Sequence, residues 1–382
     1  MTPIFKRYLL KNMIFGGILL LFLLMSAKTH MNAAEKAINK VNELIVEYNI
    51  DKDFFKDKAN ESFFSDFIYT LNECRGVGIN LISNEEGAAI PELRDTANAA
   101  ASENASEMSA LGFACAIAFG VYAFVFERRK NTSSFVGALP YKRERMFFEK
   151  WLAGLTVLSV IFAADYIFTG LWLHKTLPII DSLDKILLAP EYEVVSGFGE
   201  ESLNFGRMMW SLFLAVTVLY TFMMFVQNMF GKPVYAALTV AGAGVGFFIA
   251  VRAADVFCDN YGFSGISSTG SKFFENLENM ILNTPVFTLA ALVCIVIFLV
   301  CGLLLSGKVR LENASGAFMF KPVKYLVYAV LMLEGALVFY DFATGACGLS
   351  SGGLLTGAVY LALGAAITLF ALNKLFTLEV EI

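Results

Sequence analysis

The sequence predicts an all-α polytopic membrane protein, with about eight transmembrane helices and a small helical extracellular cap between the first two. Three observations predict it. Of the 382 residues 57% are hydrophobic and only 16% charged, and the mean hydropathy is +0.63; a soluble domain is nearer half apolar, with about a quarter of its residues charged. The apolar residues fall in runs close to the ~20 residues that a helix needs to cross a bilayer. The basic residues gather in short stretches beside those runs, most densely in Glu127 to Lys150, ERRKNTSSFVGALPYKRERMFFEK. Lys and Arg concentrate on the cytoplasmic side, in short loops near span ends. This segment therefore orients every other span.

Lys6, Arg7 and Lys11 precede the first apolar run, Asn12 to Ala27, so 1–27 reads as a cytoplasmic N-terminus and first span. Met25-Ser26-Ala27 also passes for a signal cleavage site. A retained anchor is favoured, because the amphipathic helix that follows is continuous with it and retention places both termini inside. Residues 28–107 are the one long polar segment, read as the extracellular helical cap. Ile38, Val41, Ile45 and Tyr48 mark one helix face. Phe63, Phe64, Phe67, Ile68 and Leu71 mark a second. Gly76, Gly78 and Asn84 to Gly87 break the pattern, and Pro91 suits the first turn of a third helix that runs into span two.

Residues 108–251 carry spans two to five: Met108 to Phe126, Trp151 to Trp172, Met208 to Val226 and Val234 to Val251. Between spans three and four, Ile179, Ile180, Leu183, Leu187 and Leu188 suggest a short helix lying on the membrane surface. Residues 252–284 read as an extracellular loop. Residues 285–382 hold spans six to eight and a cytoplasmic tail, with Lys308, Arg310, Lys321 and Lys324 in the inner connection and Asp341 to Gly353 as a brief outer turn.

Several chemistries find no support in the sequence. The formal charge of −5, with its basic residues in small clusters beside apolar runs, is no nucleic-acid footprint. The six cysteines show no metal-binding spacing; Cys74, Cys258 and Cys347 fall in segments placed outside, where a disulfide among them is open. Two histidines, His30 and His174, stand at span edges, so no metal site, cofactor or catalytic centre is assigned. Gly302 to Lys308 matches the spacing of a phosphate-binding loop, but its first Gly lies inside a span and Val309 follows the Lys where a Ser or Thr is needed. Gly242, Gly244 and Gly246 read as small residues at a close helix crossing. Asp165 and Glu334 are intramembrane acids. Such groups face protein or water, and they read as polar contacts to neighbouring helices or as a proton or cation relay.

The basic segment resembles that of the permeases of type 2 ATP-binding-cassette exporters. In those proteins the second span is followed by an acid, a Thr, a Leu-Pro turn, an Arg, and a Lys that opens the third span. Glu127, Thr132, Leu139, Pro140, Arg143 and Lys150 stand in that order here, with Phe147 and Phe148 before the Lys and Asn131 where a Gly is usual. Leu311 to Lys324 resembles a feature of eight-span members from Gram-positive bacteria. The resemblance implies a multi-pass protein of the bacterial cell membrane whose partners are a cytoplasmic ATPase subunit and a second permease, in a homo- or heterodimer within the lipid bilayer. It also implies roles: Glu127 and Arg143 shape an inner lever, and Phe147 and Phe148 touch the ATPase. An ion-driven transporter using the intramembrane acids, or a sensor whose cap binds a ligand, is the alternative.

Overall fold

Each apolar run folds as a helix. The computed structural model describes residues 3–47, 80–83, 89–125, 142–187, 205–261, 272, 284–308, 317–348 and 353–377. Among the described residues eight long helices follow in chain order: α1 (Pro3–Glu47), α2 (Leu93–Val125), α3 (Arg143–Leu187), α4 (Phe205–Gln227), α5 (Pro233–Asn260), α6 (Thr284–Lys308), α7 (Lys321–Asp341) and α8 (Leu354–Thr377). All eight contain a stretch long and apolar enough to cross a membrane, so the chain is a multi-pass membrane protein. The 23 residues of α4, at about 1.5 Å each, exceed a hydrocarbon core of roughly 30 Å. Large apolar side chains such as Ile18, Leu21, Leu363 and Phe370 point outward from the helices. A bilayer accepts them where water would not.

The expected continuity of the first span with the amphipathic helix is present, since α1 runs unbroken for 45 residues. Leu23, Ala27, Met31, Ala34 and Ile38 are buried along it at three- and four-residue steps, which keeps one stripe facing inward. The second predicted cap helix, around Phe63 to Leu71, lies outside the described residues.

Three expectations need correction. Pro91 does not open a helix. It sits in β2 (Ala89–Glu92), which pairs antiparallel with β1 (Asn80–Ser83), Leu81 opposite Pro91, and α2 opens at Leu93. A two-stranded ribbon has an open edge on each side, so a residue without an N–H is accommodated there. The surface helix predicted around Ile179 is not separate either: it is the continuation of α3, whose 45 residues include Pro178. Loss of one backbone bond at that proline does not outweigh the helical run on either side. The fifth helix passes the predicted end at Val251 and continues to Asn260. Ala253 is fully buried on it, and packing carries the helix past the polar Arg252. A five-residue π turn, Phe342–Ala346, extends α7 into the predicted outer turn, and Gly348 at φ 61° ends it in the left-handed region that glycine tolerates.

The chain divides into two compact units. One comprises Met1–Asn12, Phe113–Thr156 and Leu214–Ile382; the other comprises Met13–Gly112 and Val157–Phe213. In the first, α4 is held against α3 by Tyr220, which is fully buried. Its hydroxyl donates to the Lys150 and Trp151 carbonyls, both at 3.2 Å, and occupies the space a side chain at Gly154 would need. Trp151 Nε1 donates to Thr221 Oγ1 at 3.0 Å. Trp151→Phe should lower stability by about 1 kcal/mol, since it orphans a buried hydroxyl acceptor; thermal unfolding in detergent checks it. Two loops of this unit clasp each other: Gly231 N donates to Ala317 O at 3.0 Å and Met319 N to Met229 O at 2.8 Å. The rings of Phe230 and Phe318, 4.9 Å apart, and of Phe376 fill the space beneath. α7 packs against both α5 and α8.

In the second unit α1, α2 and α3 are tied by polar side chains. Trp172 Nε1 donates to Glu35 Oε1 at 3.1 Å, and His30 Nε2 lies 3.0 Å from Glu107 Oε1. Phe162 meets Phe213 edge-on at 5.4 Å, and Tyr166 stacks on Phe205 at 5.7 Å.

Candidate functional site

Of the basic segment, Glu127, Thr132, Leu139 and Pro140 lie outside the described residues. Its second half is described, and it is helical. Arg143 to Lys150 form the first two turns of α3, with no break before the membrane-spanning part. Glu144 near the helix start suits the positive end of the helix dipole. Arg145 Nε donates to Glu149 Oε1 at 3.0 Å, one turn on.

The two faces of this short stretch differ. Met146, Phe147 and Lys150 are buried, Arg143 is half-buried, and Lys142, Glu144, Arg145 and Phe148 are exposed. Phe147 is only 2% exposed. Its ring lies 6.5 Å from that of Phe124 and directly over Gly302 of α6, where even a Cβ would come within 2.5 Å of it. This corrects the expectation that Phe147 touches an ATPase, because its surface is consumed inside the chain. Phe148 retains a free face at 39% exposure, its other side against Trp151 at 5.8 Å.

Lys150 is 3% exposed. Its ammonium lies 4.6 Å from the Phe124 ring centre and 5.5 Å from that of Tyr8. Both distances are within reach of the ring quadrupole. Phe5 and Tyr8 of α1 pack around Ala153, one turn further along α3. The last basic residue of the motif therefore knits α1, α2 and α3 together. The Gly302 to Lys308 stretch is the helical end of α6. Gly302 admits Phe147, and Gly307 admits the Glu144 carboxylate, 2.5 Å from where its Cβ would be.

The two intramembrane acids belong to separate units. Glu334 of α7 lies over Gly246 of α5, its Oε2 2.8 Å from where a Cβ would stand. Gly246 thus serves a close crossing, as expected, but Gly242 and Gly244 have no neighbour among the described residues within 4 Å of such a position. Asp165 of α3 is fully buried. Asn104 Nδ2 of α2 donates to both of its oxygens at 3.3 Å, and to Thr169 Oγ1 at 3.0 Å. Asn104 and Thr169 were not legible as site residues. Asn104 lies in an Ala- and Ser-rich stretch with no apolar period, and only the pairing of α2 with α3 gives it a partner. Cys258 and Cys347 are free thiols, and Cys74 lies outside the described residues.

Comparison with protein-family models, with curated proteins and with solved structures found no match.

Proposed function

We propose that the chain is the membrane-spanning permease subunit of an ATP-binding-cassette exporter in a bacterial cell membrane, both termini cytoplasmic. The observation that carries this reading is the opening of α3. The part of the motif from Arg143 to Lys150 is a rigid extension of a spanning helix, anchored on one face and exposed on the other. A helix transmits a displacement along its axis because every turn is bonded to the next. An ATPase that closes on nucleotide and pushes this end would move the span with it. Phe148 offers an apolar knob for a groove on the partner, and Lys142, Arg143 and Arg145 offer charge to acidic residues or lipid phosphates. The buried face, Phe147 and Lys150, would pass the motion to α1, α2 and α6. No nucleotide site is assigned to this chain, so the ATPase acts in trans and the substrate passes between paired permeases.

The test is co-purification with the stand-alone ATPase of a neighbouring gene, followed by substrate-stimulated ATP hydrolysis. Arg143→Glu and Phe148→Asp should leave the permease folded but lower both association and transport by about tenfold or more, the loss of one charged or anchoring contact at a small interface. Unchanged co-purification and transport in both variants would remove the lever assignment. Transport by purified protein without ATP would instead favour the ion-driven reading.

A further inference from the structure

The clasp between the two loops of the first unit gathers lysines. Gly231 and Met229 bond to Ala317 and Met319 through the backbone; Lys232 follows one side of this contact and Lys321 the other. Lys232 Nζ lies 5.9 Å from the centre of the Tyr235 ring, and Lys324 Nζ 5.4 Å from that of Tyr328. Those two rings meet the same partner: Phe376 of α8 is 5.5 Å from Tyr235 and 5.7 Å from Tyr328. Lys374 stands two residues before Phe376. Lysines at the ends of α5, α7 and α8 thus surround one aromatic cluster. Lys232 is half-buried, and Lys321, Lys324 and Lys374 are exposed. The charge here has one sign. Residues 227–232, 317–328 and 372–377 contain no acid. Glu144 and Glu149 belong to the start of α3, where Glu144 lies against Gly307 and Glu149 accepts from Arg145. α5 and α7 both begin at the lysines, and neither has an acid in its first turn, so the positive ends of two helix dipoles add to the same field. At the opposite ends of these helices acids prevail, Asp255, Asp259 and Asp341 against Arg252.

We propose that Lys232, Lys321, Lys324 and Lys374 form a binding surface for the phosphate headgroup of an anionic phospholipid. Depth and charge together name the occupant. All four lysines stand where membrane-spanning helices begin or end, which is the level of the headgroups. Tyr325 beside them is 72% exposed, and an amphipathic ring of this kind settles at the membrane–water interface. Basic pockets between the ends of spanning helices attract anionic headgroups. Lysine suits the task, because its ammonium is a point charge on a flexible stem and reaches a phosphate without a fixed geometry. The stem itself can lie along apolar rings while the charge stays in the polar layer. An anionic lipid held here would offset the repulsion among like charges and link α5, α7 and α8, so its binding appears as stability. The inference does not depend on the exporter reading, because it concerns which lipid these helix ends hold.

The experiment uses the full-length chain in an uncharged detergent. Phosphatidylglycerol, phosphatidylcholine or inorganic phosphate is added, retained lipid is counted by native mass spectrometry, and the unfolding temperature is read. Phosphatidylglycerol should be retained about tenfold more than phosphatidylcholine and should raise the unfolding temperature, an advantage that shrinks as salt is added. Lys321→Gln combined with Lys324→Gln should weaken phosphatidylglycerol binding about tenfold or more. Both side chains are exposed, so the unfolding temperature in phosphatidylcholine should match that of the parent. Lys321→Arg with Lys324→Arg keeps the charge and should keep the binding. Arg252→Gln, at the opposite end of α5, should leave the preference unchanged. If the Gln pair does not fold, Lys374→Gln on α8 is read in its place, with an expected loss of about fivefold. Equal retention of the two lipids by the parent overturns the proposal. So does a folded Gln variant that keeps the parent's preference. A thermal rise from inorganic phosphate as large as that from phosphatidylglycerol overturns it as well, since the anion would then bind without its lipid.

Discussion

Gly364→Leu should yield little stably folded protein, and Gly364→Ala should already be visibly destabilised. Gly364 lies where α8 crosses α7. A Cβ there would stand 2.6 Å from Phe339 Cβ, 2.9 Å from Ala336 Cα and 3.0 Å from Gly335 O. Two of these three are backbone atoms of α7. A rotamer change cannot move them, so the helices must separate along the contact. Between membrane helices the attraction comes from close packing and not from expulsion of water, and a wider crossing loses it directly. Overpacking of this kind costs about 1–3 kcal/mol for small additions and more for a branched chain. The matching site on α7 is Gly335, where Thr368 of α8 occupies the space, so the crossing is cut from both sides. Fluorescence-detected size exclusion after graded heating reads the effect. Gly242→Ala is the control: none of the described residues lies within 4 Å of the added carbon, and replacing a mid-helix glycine is worth up to about 1 kcal/mol in the helix's favour. A Gly364→Leu protein that elutes and melts like the parent would show that α7 and α8 do not meet there.

The contrast between Gly364 and Gly242 also marks what the sequence could and could not disclose. Apolar run length fixed the number of spans, because a bilayer demands about 20 residues whatever surrounds them. The partner of a glycine is a tertiary fact. Of the three glycines at two-residue spacing in the fifth span, Gly246 alone meets a neighbour among the described residues, while nothing in the sequence around Gly364 marks it as a crossing point. Helix ends failed for a related reason. Arg252 reads as a boundary, yet α5 runs on to Asn260; the stretch around Ile179 reads as a separate surface helix, yet α3 runs on through it to Leu187. Local signals of charge and apolar spacing are weak priors that packing overrides. At the basic segment the charges were legible and the direction of each side chain was not. Phe147 and Phe148 are adjacent and chemically identical, and a helix turns them about 100° apart. One is buried and the other exposed. The acids divided in the same way: Asp165 was visible as an intramembrane carboxyl, but its amide partner is 61 residues earlier in the chain.

Lys150→Glu should be the most damaging single charge change at the basic segment, more so than reversal at Arg143. The reason is burial. Arg143 is half-buried at the rim, whereas Lys150 is 3% exposed and its ammonium faces the rings of Phe124 and Tyr8. The faces of those rings are electron-rich and attract a cation. A carboxylate in their place is repelled by both and loses its water, a penalty of several kcal/mol for a buried charge without compensation. Lys150→Met separates charge from volume. It keeps an unbranched stem of similar length to fill the space, and gives up the ring attraction, worth about 0.5–2 kcal/mol. The expected order of unfolding temperature in detergent is parent, then Met, then Glu, with Glu recovered in low yield. Combining Lys150→Met with Phe124→Leu should cost less than the sum of the two single changes, by about 0.5 kcal/mol or more, because the pair in contact is lost only once. Equal stability across the series would mean that the ammonium reaches water and that the three helices are held by apolar contact alone. If the exporter reading is right, Lys150→Met has a second consequence. The protein would still bind its ATPase through the exposed face of α3 and would hydrolyse ATP, yet transport less per ATP, because the buried face that hands the motion to α1 and α2 has been loosened.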